Sequence, residues 1–129
     1  MIEPVQLDLS AVRHEDVRLT FLFATEGRPI DLTSWTAKMS ISNAPGDASP
    51  LLTLTMTANT NGSRFTLKDA AGGVLELYIN KADNAALFTG TGVSAAKLLA
   101  YDILITQVSP ADTFRYFFGN YELGAGVTS

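Results

Sequence analysis

Cysteine is missing altogether, which excludes disulfide cross-links and thiolate metal sites and leaves the fold to packing and hydrogen bonds. Histidine occurs once, at position 14, so neither a His-rich metal site nor a Ser-His-Asp triad has a partner pattern. His14 reads as a surface residue of the polar run 13–16. Charge is sparse: Asp, Glu, Lys and Arg make up 17% of the chain, against about 25% in ordinary soluble domains. Nine basic residues face thirteen acidic ones, a net charge of -4. No Lys/Arg cluster runs along any segment, which argues against a nucleic-acid partner. No apolar run approaches the ~20 residues of a membrane helix, and Met1-Ile2-Glu3-Pro4 has neither the basic start nor the apolar core of a signal peptide. The expectation is a chain made in the cytoplasm with no membrane partner.

Chemical motifs are equally scarce. Gly72-Gly73 and Gly90-Thr91-Gly92 lack the Lys-Ser/Thr or G-x-G-x-x-G context of a phosphate cradle and read as turns. Asp47, Asp69, Asp83 and Asp112 are scattered, without the alternating oxygen ligands of a calcium loop. Asp31 and Asp102 could be paired on paper for acid/base work, but Asp31 stands where a turn cap belongs and Asp102 on the polar side of a strand. The chain is therefore read as a non-enzyme, with no catalytic residue, no cofactor and no metal site.

What the sequence does contain is alternation. At 129 residues it fits one domain spanning 1–129, large enough for a real core. Val5, Leu7 and Leu9 alternate with polar neighbours, Val17, Leu19, Phe21 and Phe23 face one way against Arg18, Thr20, Leu22 and Ala24 the other, and Trp35, Ala37, Met39 and Ile41 again alternate with polar residues. Leu52, Leu54 and Met56 follow, then Phe65 and Leu67, then Leu75, Leu77 and Ile79. This period of two is that of half-buried strands. Between them lie turn signals: Gly27-Arg28-Pro29, an Asp31 side chain placed to accept amides two or three residues on, the loop 43–50, and Asn61-Gly62. Asn80 is placed to cap a single short helix over 81–88, plugging one end with Leu87 and Phe88. Some eight antiparallel strands with Gly/Pro/Asn turns indicate a β-sandwich, with a barrel as the alternative. Trp35, the lone tryptophan, is the expected centre of the core, shared with Phe21, Phe23, Ile41, Leu75, Leu77, Tyr101 and Ile103.

The chain closes with a hairpin. Its first arm, 99–107, alternates cleanly. The second, 113–123, is too densely apolar for a strand wetted along one face, so it is central in its sheet, bulged at Gly119, or covered by another chain. Around Leu98-Leu99-Ala100 and Tyr116-Phe117-Phe118, consecutive apolar side chains must point to opposite faces. That arithmetic nominates Leu98, Ala100, Leu104, Tyr116, Phe117 and Tyr121 as a subunit interface, with residues 94–100 contributing. A competing use for the aromatics Tyr116 and Tyr121 is a stacking platform for carbohydrate.

Asp31-Leu32-Thr33-Ser34-Trp35-Thr36-Ala37-Lys38-Met39, Gly73-Val74-Leu75-Glu76-Leu77, Tyr101-Asp102-Ile103-Leu104-Ile105-Thr106, and the ending Phe118-Gly119-Asn120-Tyr121-Glu122-Leu123 with Gly126-Val127-Thr128 form a pattern in order over nearly the whole chain. It resembles small tailed-bacteriophage virion proteins, including the N-terminal domain of phage upper-baseplate proteins. Those chains carry a G-x-P-x-DLT-G/S-aromatic corner, a G-x-[IVL]-x-[LI] strand before a short helix, then YDL-x-[LI] and a closing G-x-[VY]-x-[VL]. The resemblance implies an all-β, immunoglobulin-like sandwich. It implies a non-enzymatic structural role in tail, baseplate, neck or capsid decoration, and localisation to the virion. The implied partners are other virion proteins and further copies of the same chain. Where such proteins continue into receptor-binding or coiled-coil segments, this sequence ends at Ser129.

Overall fold

A computed structural model describes residues 5–12, 15–44, 49–87, 97–107 and 113–124. In chain order the elements are β1 (Val5–Gln6), β2 (Leu9–Val12), β3 (Val17–Leu22), β4 (Ala24–Thr25), β5 (Arg28–Pro29), β6 (Thr36–Ser42), β7 (Leu52–Leu54), β8 (Arg64–Asp69), β9 (Val74–Ile79), α1 (Lys81–Ala86), β10 (Lys97–Thr106) and β11 (Thr113–Gly124). The expected all-β class is what the chain adopts: among the described residues strands dominate, with one short helix. The larger sheet runs β1-β11-β10-β6-β7, with β2 also on β11, and curls into a half-barrel. The smaller sheet runs β3-β9-β8, and β4 and β5 form a separate hairpin.

The alternating sequences land as their period requires. In β6, Ala37, Met39 and Ile41 are buried, and in β9 so are Leu75, Leu77 and Ile79. These residues join Phe21, Phe23, Leu54, Phe65, Leu99, Tyr101, Ile103 and Ile105 in one cluster between the two sheets. At the β4–β5 turn Glu26 and Gly27 have φ of 51° and 76°, the double positive φ of a tight two-residue hairpin whose twist matches its strands. This turn and a broken first strand account for eleven strands among the described residues where about eight were expected.

The first strand breaks at Leu7-Asp8 because its neighbour β11 takes over both residues. Leu7 N donates to Phe118 O at 2.8 Å, Asn120 N donates to Asp8 Oδ1 at 3.0 Å, and the Tyr101 hydroxyl donates to Leu7 O. Burial, together with the nearby Asp8 carboxylate, pushes the Tyr101 hydroxyl up to about 12. Leu7 is thereby turned out to 38% exposure, while Leu9 and Ala11 on β2 are buried. Gly119 makes this crossing possible: a Cβ there would sit 2.5 Å from Leu7 O.

The density of β11 has its explanation in position. It is central, paired antiparallel with β10 on one side and parallel with β1 and β2 on the other. The register shift falls between Ile103 and Leu104, whose partners are Phe117 and Arg115. Tyr116 is therefore the extra residue of the bulge, not Gly119, which pairs in register with Tyr101.

Trp35 is a correction. It is only partly buried and packs against the core from outside. The cause is the turn before it: Thr33 N donates to Asp31 Oδ1 at 2.9 Å, and Trp35 N donates to Leu32 O at 2.9 Å. That turn drives Leu32 inward to 2% exposure and leaves the indole at the rim. The expected Asx turn is thus present, and it is the reason the tryptophan is displaced. The centre belongs instead to Tyr121, at 0% exposure. We expect Trp35→Ala to cost roughly 1–3 kcal/mol in denaturant unfolding, less than the roughly 3–5 kcal/mol of an enclosed aromatic. A loss at the upper figure would place the indole inside the core.

Candidate functional site

Two places concentrate polar chemistry among the described residues. The first is buried beneath α1. As expected, Asn80 caps this helix, its side chain accepting from Ala82 N at 2.8 Å, and Leu87 at its end is buried; Phe88 lies outside the described residues. The helix also carries Asp83 and Asn84 inward, at 8% and 0% exposure. Asp83 accepts from Asn61 Nδ2 at 2.8 Å, from Asn59 Nδ2 at 3.0 Å and from the Ser63 hydroxyl. Ser63 Oγ in turn accepts from Asn80 N at 2.7 Å. Asn84 Nδ2 donates to Glu15 O at 2.9 Å, and the Tyr121 hydroxyl donates to Asn84 Oδ1 at 2.6 Å.

Burial raises the Asp83 carboxyl, but the hydrogen bonds from Ser63, Asn59 and Asn61 outweigh it and hold the group below its ordinary 3.8. Burial alone pushes the Tyr121 hydroxyl far up, so it stays a donor. The buried Asp83 carboxylate, the Asn84 amide and the Tyr121 hydroxyl each meet partners within the chain, the arrangement of a clamp. It ties the turn 59–63, the helix and β11 together. Sequence reading missed the clamp, treating Asp83 as one of several scattered acids. The available signal was Asn59, Asn61 and Ser63 crowded into five residues.

The second place is the outer face of the larger sheet. Cross-strand register sets Gln6 beside Phe118, Phe118 beside Asp102 and Asp102 beside Ser40, a row of four across four strands. Next to it run Asn120, Ala100 and Ser42. These residues floor an open groove of about 350 Å³, walled on one side by Ala44 and Pro50. At strand spacing the row of four spans about 14 Å.

The structure divides the six interface candidates. Leu98 is 60% exposed, Leu104 is half-buried on the same outer face, and Ala100 lies on the groove floor. Phe117 instead faces inward, 4.9 Å from the Phe21 ring and 6.2 Å from that of Phe23. Tyr121 is enclosed and has no surface to offer. Both are corrections with one cause: the bulge fixes odd-numbered residues from Phe117 to Tyr121 on the core side, so Phe118 is the outward aromatic. The side chain of Tyr116 and residues 94–96 lie outside the described residues, as do His14, Asp47 and Asp112. Asp31 acts as the turn cap, Asp102 stands on the outer face, and Asp69 Oδ1 accepts from Gly72 N at 3.1 Å. Among the described residues no group of three His, Cys, Asp or Glu could hold a metal ion, and no helix is long and apolar enough to cross a membrane.

Compared with known proteins, the chain matches no protein-family model and no curated protein.

Acid stability tests the clamp. Because the folded-state pKa of Asp83 lies below its ordinary value of 3.8, the ionised carboxylate stabilises the fold above that pH. The stabilisation is lost as pH falls through the folded pKa. Asp83→Asn retains the shape but turns amide hydrogens toward the Asn and Ser donors, so we expect it to cost about 2–3 kcal/mol at neutral pH. The gap from the parent should narrow in urea titrations below pH ~4; a constant gap would mean that the carboxylate is not the titrating group.

Proposed function

We propose that this chain is a non-enzymatic structural component of a tailed-phage virion, acting through protein–protein contacts. The observation that carries the reading is the outer face of the larger sheet, where Leu98 is 60% exposed and Leu104 and Phe118 are half-buried beside it, in a charge-poor chain. A protein whose faces end against other subunits has that composition. Strand order adds support for the immunoglobulin-like form of the fold. Taken as G-F-C for β11-β10-β6 and B-E-D for β3-β9-β8, it has the connectivity of such sandwiches, with β7 as the added C′ strand. The parallel seating of β1 and β2 on β11 fits a first strand that has moved to the G edge. The partners are copies of the chain and neighbouring virion proteins, with tail, baseplate, neck and capsid surface as the candidate places.

The groove favours one other reading. Phe118 offers an aromatic face beside the acceptor Asp102, the hydroxyl of Ser40 and the amides of Gln6 and Asn120, a set suited to a sugar ring. Tyr121, being enclosed, takes no part in it. Binding to a glycan array by the isolated monomer separates this reading from the first.

Two substitutions test the contact without breaking the sheet, since each new charge faces a complementary one across the strands. Leu98→Lys stands opposite Glu122 and Leu104→Glu opposite Lys38. We expect both variants to stay folded, to lose the association made through the larger sheet, read by sedimentation at tens of micromolar, and to fail to co-purify with particles. Phe117→Asp should instead unfold the domain, because its ring packs on Phe21 and Phe23. A parent that is monomeric, with Leu98 and Leu104 variants that enter particles unchanged, would defeat the structural reading.

A further inference from the structure

The smaller sheet has an open edge. β3 pairs with β9 on one side, and no strand pairs with its other side among the described residues. Phe23 N donates to Gly73 O at 2.8 Å, one position beyond the Leu22–Val74 pair. Odd-numbered residues of β3 therefore direct their backbone groups toward β9, and Arg18, Thr20 and Leu22 direct theirs outward. The same three side chains are exposed. Leu22 reaches 75%, a large apolar residue beside a row of backbone donors and acceptors that no described strand pairs. The devices that normally blunt such an edge are thin here. β3 holds no proline and no register shift, and its one charge, Arg18, is drawn back over its own sheet. Arg18 Nη1 lies 3.2 Å from Glu76 Oε1, and the guanidinium stands 4.2 Å above the Tyr78 ring.

We infer that β3 is a self-pairing edge: two copies of the chain join antiparallel through it, about a two-fold axis at Thr20, to make one continuous six-stranded sheet from two smaller sheets. The occupant is a second copy because the edge is complementary to itself. Placing Thr20 opposite its equivalent puts Arg18 opposite Leu22 of the other copy, twice. All three outward-facing residues then fall at hydrogen-bonded positions, giving about six backbone hydrogen bonds. The Arg18 stem covers the exposed Leu22, and half-buried Leu19 gains Phe21 of the other copy on the core side. This contact lies on the smaller sheet, away from the outer face of the larger one, and it stands whether or not the chain belongs to a virion.

Leu22 provides the decisive comparison because the pairing sets it against Arg18. Leu22→Lys should weaken the dimer about tenfold by placing like charges opposite, whereas Leu22→Glu should hold it as tightly as the parent or tighter. Thr20→Pro removes an outward N–H that β9 does not use, so the variant should melt near the parent and sediment as a monomer. Sedimentation velocity on the full chain, repeated in a Leu98→Lys background to silence the larger sheet, reads all three. A dimer retained in that background, with particle incorporation lost, separates the two contacts. The inference is overturned by a parent monomeric at every concentration up to hundreds of micromolar. It is overturned equally by Leu22→Lys and Leu22→Glu weakening association to the same extent. Should Thr20→Pro not fold, the Leu22 pair decides alone.

Discussion

A tyrosine hydroxyl at the centre of an apolar core has to donate to something, and much of this fold is arranged around that requirement. Tyr121 is fully enclosed, and an unmet hydroxyl there would cost about 1–3 kcal/mol. Its partner, Asn84 Oδ1, sits on a six-residue helix, too short to hold itself in water. The helix is fixed by the obligations it satisfies. Asn84 must place its amide on Glu15 O, and the adjacent Asp83, brought inward by the same turn, must find donors of its own. Residues 59–63 provide them, with Asn59 Oδ1 folding the loop on itself by accepting from Asn61 N and Ser63 N. One buried hydroxyl thus leads outward, by successive satisfaction of polar groups, to the conformation of a turn about sixty residues earlier in the chain.

The same strand sets the other end of the larger sheet. Because β11 is paired on both sides, the closing hairpin does not expose an edge, and the edge passes to the short segments β1 and β2. Gly119 permits the close approach at Leu7 and Asp8, and Tyr101 anchors Leu7 from the neighbouring strand. The N-terminal strand is broken where it is most tightly bound, and the break lets Leu9 and Ala11 return to the core while Leu7 faces outward.

How much of this was legible in the sequence depends on the range of the interaction. Period-two alternation identified β3, β6, β9 and β10 with the correct buried faces, and two local caps, Asp31 and Asn80, were readable because donor and acceptor lie within two residues. Trp35 was misplaced because a large aromatic suggests a core centre, whereas the turn capped by Asp31 decides which residue enters, and it selects Leu32. Phe117 and Tyr121 were assigned to a surface because a single-residue bulge at Tyr116 resets the parity of β11, and a bulge leaves little mark on composition. The Asp83 clamp and the parallel pairing of β1 with β11 join residues about twenty to more than a hundred positions apart. No local pattern carries such information. The groove was invisible for the same reason, since its row from Gln6 to Ser40 exists only once four strands are in register.

The two surfaces proposed for contact differ in what kind of assembly each could build. Pairing across the β3 edge is isologous: the two-fold axis uses the edge up, so it produces a dimer and stops. The outer face of the larger sheet lies on the other sheet and stays free in that dimer. A contact there joins dimers to one another or to a different protein, closing into a ring or extending as an array according to its rotation. An edge of backbone groups adds direction that an apolar face lacks, because its hydrogen bonds form in one register only. A small domain with one self-limiting contact and one open-ended contact has the minimum needed to be a repeating part of a larger body, and the groove between Phe118 and Ser40 lies on the open-ended side.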